Sequence, residues 1–195
     1  MTRPLLAVLV LVAAASAPTA QIGYGDPVPL ADREFSVGSS LGTLDGIAGP
    51  AGLVVVFWSN ACPWTERYTP RLDDLVGTYV PAGVGMVLVN SNDPAQNERE
   101  SMAATREWLA QSAVATPYLF DPDGALAEAF GARNTPHAFF FGPDGTLLYD
   151  GAIDDSPASA DRVQVPYLAQ AMDQSIAGMA IEVQRTQAFG CSVKR

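Results

Sequence analysis

Apolar residues along this chain fall into short continuous runs that alternate with segments of helical periodicity. The runs at 53–58 and 84–89 are rich in β-branched and aromatic residues, as expected of strands buried on both faces. Between them, apolar residues recur at helical spacing after Pro63, and Pro70 interrupts that helix and is expected to kink it. The remaining predicted elements are an edge strand near 34–37, a helix capped at Asp93-Pro94 and ending at about 111, a strand at 118–120, a helix around 126–130, a hairpin of strands 138–141 and 146–149, and a helix at about 163–177.

Strands that alternate with helices predict an α/β protein, with a sheet covered by helices on both faces. The length of 195 residues suits one domain with a single sizeable core. We find no internal repeat, low-complexity tract or long linker that would divide the chain. We therefore expect one domain over residues 21–178, with extra strands at its N-terminal end and a C-terminal tail over 179–195.

The first twenty residues are predicted to be a secretory signal peptide. Arg3 precedes an apolar run over 4–15, which is shorter than the roughly 20 residues that span a bilayer. Small residues follow, and we expect cleavage between Ser16 and Gln21; a buried N-terminal helix is the alternative. No cysteine stands directly after the expected cleavage region, so no lipid anchor is indicated. The mature chain is then exported, without a stable membrane anchor, to an oxidising compartment where disulfides persist.

Composition narrows the function classes. With 11 Lys and Arg against 21 Asp and Glu, the formal net charge is −10, which predicts no binding to the phosphate backbone of nucleic acids. At 48% hydrophobic and 16% charged residues, the chain can form a packed core, which excludes a disordered or fibrous protein. Two cysteines and one histidine exclude a zinc ribbon and a disulfide-rich mini-protein. Nothing in the sequence implies a bound cofactor or metal ion.

Cys62 stands where a predicted buried strand is followed by the helix that begins at Pro63. A helix N-terminus presents unpaired backbone N–H groups and the positive end of the helix dipole. These groups stabilise a thiolate, which is the nucleophilic form, and so lower a cysteine pKa from its usual value of about 8.5. The sequence thus predicts Cys62 as a nucleophile. The alternative is a buried, inert thiol, because burial alone raises the pKa.

Residues 54–70 resemble the active-site strand, turn and helix of the thioredoxin superfamily. The turn reads Trp-Ser-Asn-Ala-Cys-Pro-Trp-Thr over 58–65, and Pro70 stands eight residues after Cys62, where thioredoxins carry a helix-kinking proline. Thioredoxins also have a cis-proline just before a hairpin strand, and Thr135-Pro136 occupies the corresponding place. The resemblance implies a thioredoxin-like fold with a central mixed sheet, in which Pro136 shapes a substrate groove.

Within that superfamily, the chain resembles the redoxin-type, peroxiredoxin-like proteins of the AhpC/TSA kind in bacteria. Four features carry the likeness across nearly the whole predicted mature chain: Cys-Pro-Trp at 62–64, Val-Asn-Ser-Asn-Asp at 89–93, Gly-Ala-Ile-Asp-Asp-Ser at 151–156 and Phe-Gly-Cys-Ser-Val-Lys at 189–194. The resemblance implies a thiol-dependent oxidoreductase in the periplasm or another extracytoplasmic space. Its substrate would be a protein disulfide or a peroxide. A thiol reductant would then return the oxidised protein to its reduced form.

Departures from these families bear on the chemistry. A dithiol thioredoxin has Cys-x-x-Cys, but the second position here is Thr65, so the usual resolving thiol is missing. Peroxiredoxins have Pro-x-x-x-Thr/Ser-x-x-Cys, which Ser59 fits, whereas Val55 replaces the proline. Peroxiredoxins also bind peroxide with an arginine on a neighbouring strand. Pro136 stands in that place here, and Arg133, three residues away, is the candidate substitute.

Cys191 in the tail is part of the family resemblance and is the candidate resolving thiol. Three alternatives are open: a permanent structural disulfide with Cys62, a cycle in which Cys191 attacks an oxidised Cys62, and a tail cysteine that stays free or pairs between molecules. His137 directly follows the predicted cis-proline and either assists the thiolate or faces water at the start of a strand. Trp64 and Thr135 are further candidates for the substrate groove.

Three functions are therefore open. The leading hypothesis is an exported thiol-disulfide oxidoreductase in which Cys62 attacks the substrate while Ser59 and the backbone amides of 62–65 stabilise its thiolate. The second is a thiol peroxidase in which Arg133 binds the peroxide. The third is a redox-silent binding module on the same fold with a structural disulfide. Thr65 in place of a second cysteine favours the third, whereas a cysteine at the helix start favours an enzyme.

Overall fold

The computed structural model describes residues 22–38 and 40–195, so the predicted signal peptide at 1–20 lies outside the described residues. The strands are β1 (Phe35–Val37), β2 (Ser40–Gly42), β3 (Gly52–Phe57), β4 (Val84–Asn90), β5 (Tyr118–Phe120), β6 (Asn134–Thr135), β7 (His137–Phe141), β8 (Leu147–Gly151) and β9 (Cys191–Ser192). The α-helices are α1 (Leu44–Ile47), α2 (Pro63–Tyr79), α3 (Met102–Gln111), α4 (Ala125–Phe130) and α5 (Tyr167–Ile176), with 3-10 turns at Glu98–Glu100 and Ala160–Arg162. Over the described ranges, no helix combines the length and apolar character that crossing a membrane requires.

The sheet is mixed. Seven strands follow the order β2-β1-β5-β4-β3-β7-β8, and β6 and β9 form a separate two-stranded sheet. The central strands β3, β4 and β5 are parallel, while the strands on either side of them pair antiparallel. In the centre, Phe57 at the end of β3 lies opposite Val89 of β4 and His137 of β7. The predicted α/β architecture with a central mixed sheet is confirmed.

Both faces of the sheet carry a core. Alternate residues of a strand point to opposite faces, so Val54 and Val56 of β3 pack on the face that holds Leu72 of α2. Phe57 packs on the other face, against Phe130 of α4 with ring centroids 5.4 Å apart. Every residue of β3 is buried, which is why this strand reads as a continuous apolar run. The two cores fix the end of β3, where the site begins.

One predicted helix begins later than its sequence pattern indicates. The helix expected from Asp93 instead begins at Met102, because the side chain of Ser101 caps it by accepting a hydrogen bond from the backbone N–H of Ala104 at 3.2 Å. The residues before it form a 3-10 turn with Asn97 as its own N-cap. Side-chain caps therefore divide a segment that periodicity reads as a single helix.

The last helix is also shorter than expected. It begins at Tyr167 rather than near residue 163, and a 3-10 turn over Ala160–Arg162 precedes it. Pro166 explains the difference, since a proline disfavours helical backbone at the residue before it. At the other end of the chain, the predicted edge strand is present as β1 and pairs with β2, so the sheet has the extra N-terminal strands that were expected.

Candidate active site

Cys62 lies between β3 and α2 at the N-cap of the helix, with Pro63 at the first helical position. It is only 2% exposed. Thr65 closes this turn, because its Oγ1 lies 2.5 Å from the carbonyl oxygen of Ser59 and 2.7 Å from that of Cys62. Thr65 itself is 1% exposed, so the residue at the second position of the thioredoxin motif ties the turn together instead of facing solvent.

Cys62 is joined to Cys191 by a disulfide, with the two Cα atoms 6.0 Å apart. The alternative in which Cys191 stays free or pairs between molecules is therefore wrong for this oxidised form. The partner cysteine arrives on β9, which pairs antiparallel with β6 so that Cys191 lies opposite Thr135. The Thr135-Pro136 peptide bond is cis, as the resemblance to thioredoxins implies. The Thr135 carbonyl oxygen lies 3.3 Å from Cys62 Sγ, so the disulfide, the tail strand and the cis-proline meet at one point.

The end of the tail is inserted between two loops. On one side, the backbone N–H of Val193 donates to the Arg133 carbonyl at 2.9 Å, next to the β6–β9 pairing. On the other side, the Lys194 carbonyl accepts from the N–H of Asp93 at 2.8 Å, and the Lys194 N–H donates to Asn92 Oδ1 at 2.9 Å. The tail thus occupies a groove between the loop after β4 and the loop that carries the cis-proline.

A second set of contacts holds the tail further back along the chain. Thr186 Oγ1 lies 2.7 Å from the Tyr149 hydroxyl and accepts from the Ala152 N–H at 2.9 Å. Arg185 forms an ion pair with Asp150, which is buried beneath it, at 2.5 Å. Polar contacts along both halves of the tail therefore accompany the disulfide.

The loop before Cys62 is bound from behind by Glu100, a residue that the sequence reasoning missed. The hydroxyl of Ser59 donates to Glu100 Oε1, and the backbone N–H groups of Asn60 and Ala61 donate to its two carboxylate oxygens at 3.0 and 3.2 Å. Glu100 lies 38 positions beyond Cys62 in a short acidic stretch, and no spacing rule links the two. The motif Val-Asn-Ser-Asn-Asp nearby was the one available signal that this segment belongs to the site.

Ser59, Arg133 and Trp64, which the sequence also singled out, lie in different surroundings around the disulfide. The Ser59 hydroxyl is engaged by Glu100 in this disulfide form. Arg133 is exposed, and the group that it contributes to the site is its backbone carbonyl, which binds the tail. Trp64 meets Phe189 of the tail edge to face, with ring centroids 4.8 Å apart, and Arg67 lies over its ring. The structure thus brings Trp64 and the tail together on the surface beside the disulfide.

A cavity of about 440 Å³ opens beside this aromatic pair. Its wall includes Trp64, Phe189 and Tyr167, and also Asp154, which belongs to the Gly-Ala-Ile-Asp-Asp-Ser motif. Asp154 is buried and forms an ion pair with Arg71 of α2 at 2.6 Å. The motif therefore connects one wall of the cavity to α2, the helix that follows Cys62.

His137 is buried in the sheet, so the alternative in which it faces water is wrong. It is 7% exposed, its ring lies 4.3 Å from that of Phe139, and its Nδ1 has no hydrogen-bond partner among the described residues. Burial lowers the pKa of His137 to about 4, with a smaller opposing effect from Asp150 and a smaller lowering effect from Arg185. The imidazole is therefore neutral at pH 7, buried in the sheet beside Phe139.

This burial predicts a pH-dependent stability. The unfolded chain protonates His137 near its ordinary pKa of about 6.5, whereas the folded chain keeps it neutral down to about pH 4. Stability is thus lost as pH falls through this window, by about 2 kcal/mol between pH 8 and 5. Urea unfolding of the protein and of His137→Phe over this range measures the difference. Since His137 is the one histidine of the chain, parallel curves for the two proteins would contradict the prediction.

Comparison with known proteins places the chain in a family. The model of the AhpC/TSA family matches residues 32–150, which is more than half of the chain. A curated relative, the thiol-disulfide oxidoreductase ResA of Halalkalibacterium halodurans, is 25% identical over 97 residues, which cover 50% of this chain and 51% of ResA. The chain thus spans about half the length of the curated relative that it matches.

Solved structures agree in fold. An uncharacterised conserved protein from Geobacillus kaustophilus superposes with a TM-score of 0.82 at 27% identity, covering 90% of this chain and 93% of that protein. A hypothetical protein from Sinorhizobium meliloti gives 0.80 at 27% identity, covering 90% and 96%. A putative thiol:disulfide interchange protein DsbE from Chlorobium tepidum gives 0.61 at 20% identity, covering 81% and 98%, and shares the thioredoxin-like fold. The family model covers more than half of the chain and the fold is thioredoxin-like, so this chain belongs to the AhpC/TSA family of the thioredoxin superfamily.

Proposed function

We propose that this protein is a thiol-dependent oxidoreductase whose Cys62 and Cys191 alternate between a dithiol and a disulfide. The observation that carries the proposal is the pairing of a cysteine at a helix N-terminus with a tail cysteine that lies beside a cis-proline. The curated relative ResA carries the name thiol-disulfide oxidoreductase, which supports the same reaction class.

In the dithiol form, the Cys62 thiolate attacks one sulfur of a substrate disulfide, and the other substrate sulfur leaves as a thiolate. Cys191 then loses its proton and attacks the Cys62 sulfur, so the bound substrate sulfur leaves and the Cys62–Cys191 disulfide forms. Two electrons pass from the two cysteines to the substrate. The N–H groups of Trp64 and Thr65 in the first helical turn stabilise the Cys62 thiolate, because Pro63 has no N–H to offer.

The return step starts from an asymmetric disulfide, since Cys62 is 2% exposed whereas Cys191 is only partly buried. A thiolate of the reductant therefore attacks Cys191 Sγ. The bond to Cys62 breaks, and Cys62 leaves as the thiolate that the helix stabilises. A second reductant thiol then resolves the mixed disulfide on Cys191, which takes up a proton.

The groove that the tail fills is the proposed substrate groove. In the oxidised form, β9 covers the edge of β6, with Cys191 opposite Thr135. Once the disulfide is reduced, an extended segment of a substrate protein can pair with the same edge, because main-chain groups supply the contacts. Pro136 and Trp64 border this place, whereas His137, which directly follows Pro136, is buried in the sheet.

We expect the reduced protein to be oxidised by a protein disulfide faster than by hydrogen peroxide. The groove suits an extended peptide, while Ser59 is engaged by Glu100 and Arg133 is exposed. Formation of the Cys62–Cys191 disulfide, followed by peptide mass with insulin or with hydrogen peroxide as oxidant, measures the two rates. At pH 7, the rate with insulin should exceed that of an unstructured cysteine peptide by about tenfold, because the thiolate fraction is larger.

Two outcomes of that experiment would overturn the proposal. Faster oxidation by peroxide would assign a thiol peroxidase. Rates equal to those of the unstructured peptide with both oxidants would assign a redox-silent binding module.

Export belongs to the same proposal. Its support is the apolar run over residues 4–15 and the intramolecular disulfide, since such bonds persist in oxidising compartments. The protein disulfide substrate and the thiol reductant are then extracytoplasmic proteins. Residues 21–178 would form the domain and 179–195 the tail that carries the resolving cysteine.

A further inference from the structure

A buried carboxylate lies directly behind the loop that presents the nucleophile. Glu100 is 4% exposed and ends the 3-10 turn that precedes α3. We propose that Glu100 is a positioning residue that holds residues 59–61 in place for Cys62 and thereby favours the disulfide over the dithiol. The inference rests on the proposed function, since it concerns the ease with which that same disulfide is reduced.

The contacts of Glu100 call for a carboxylate. Oε1 accepts from the Ser59 hydroxyl and from the Ala61 N–H at 3.2 Å, while Oε2 accepts from the Asn60 N–H and from Asn90 Nδ2, both at 3.0 Å. All four partners donate, and an ionised carboxylate is the side chain that only accepts. A glutamine would bring its own NH₂ group among these donors. A glutamine at this position has the same shape but one acceptor oxygen fewer, so some of these donors would lose their hydrogen-bond partner.

The loop is held on its other side as well. Asn60 Nδ2 donates to Thr105 Oγ1 at 2.6 Å, and Asn60 Oδ1 accepts from the Tyr118 hydroxyl at 2.9 Å. Arg99 donates to the Asn60 carbonyl at 2.8 Å instead of pairing with Glu100. In the described part of the chain, no Lys, Arg or His lies within ion-pair distance of the Glu100 carboxylate. Glu100 thus combines a rigid hold on the loop with a negative charge that no cation neutralises.

Both properties act on the disulfide in the same direction. A loop that stays in place after reduction keeps Cys62 close to its partner, and this preorganisation raises the effective concentration of one thiol at the other. A negative charge bound to residues 59–61, the segment directly before Cys62, also disfavours the Cys62 thiolate relative to the uncharged disulfide. Removal of Glu100 should therefore shift the equilibrium with glutathione, in which two glutathione thiols and the protein disulfide exchange for the protein dithiol and glutathione disulfide, toward the dithiol.

The test compares Glu100→Gln and Glu100→Asp with Asp121→Asn as the matched control. Asp121 is also a fully buried carboxylate that accepts from Ser91, Leu126 and Ala127, but it does not contact the 59–61 loop. Titration of the purified full chain with glutathione redox buffers, read by peptide mass, gives the equilibrium constant. We expect Glu100→Gln to favour the dithiol by about tenfold, or about 30 mV for a two-electron couple, and Asp121→Asn to stay within about twofold of the wild type.

Glu100→Asp keeps the charge but shortens the side chain, so it separates contact from electrostatics and remains informative if the glutamine variant does not fold. It should shift the equilibrium by about threefold and leave the pH profile of Cys62 alkylation unchanged, whereas Glu100→Gln moves that profile to lower pH. Wild-type equilibrium constants for both Glu100 variants, or an equal shift in Asp121→Asn, would overturn the role of Glu100. A wild-type disulfide that glutathione does not reduce reversibly would instead overturn the proposed function.

Discussion

Replacement of Cys62 by serine abolishes disulfide exchange, whereas replacement of Cys191 by serine stops the reaction halfway. In Cys62→Ser, the nucleophile at the N-terminus of α2 is a hydroxyl with a far higher pKa than a thiol, so exchange should fall by about a thousandfold or more. In Cys191→Ser, Cys62 still attacks the substrate disulfide, but no second thiol is present to displace the substrate sulfur from Cys62. A mixed disulfide on Cys62 therefore accumulates in stoichiometric amount.

The two variants are matched controls for each other. Each removes the Cys62–Cys191 bond by a single-atom change, so both should lose similar stability while their chemistry differs. Incubation with a protein disulfide, followed by non-reducing electrophoresis and peptide mass, identifies the adduct and its site. Exchange by Cys62→Ser at the wild-type rate would show that Cys62 is not the nucleophile. An adduct on neither variant would favour the binding module.

Reduction of the disulfide should lower the free energy of unfolding by about 5 kcal/mol in the chain-entropy model, because the bond closes a loop across a separation of 129 residues. In this model stability is lost because the unfolded chain has a higher conformational entropy once the two cysteines are no longer joined. In the folded state, the tail keeps its contacts at Thr186 and Arg185 but loses the covalent tie at β9. The end of the tail should therefore exchange its backbone hydrogens faster in the reduced protein.

Urea unfolding of the oxidised and reduced protein measures the first effect, and hydrogen exchange of residues 187–195 measures the second. Cys191→Ser is the control, because it should unfold with the same free energy under oxidising and reducing conditions. Equal stability of the oxidised and reduced wild type would contradict the prediction. Unchanged exchange in the tail would show that its hydrogen bonds alone close the groove.

The sequence by itself determines the framework of the site. The continuous apolar run of β3 and the helical spacing after Pro63 place Cys62 at a helix N-terminus, because strand and helix periodicities depend on near neighbours in the chain. The cis bond at Thr135-Pro136 was expected from the resemblance to thioredoxins alone. Periodicity does not predict the start of α3, because the side chain of Ser101 caps the helix so that it begins at Met102 and not near Asp93.

Only the tertiary structure decides which distant residues complete the site. The pairing of Cys62 with Cys191, the insertion of β9 beside Thr135 and the approach of Glu100 to the loop all join positions that are far apart in the chain. Such contacts depend on the order of strands in the sheet and on where each loop leaves it, and the periodicity of a segment carries no information about either. The burial of His137 has the same origin, since it depends on the pairing of its strand with β3, where Phe57 lies opposite it.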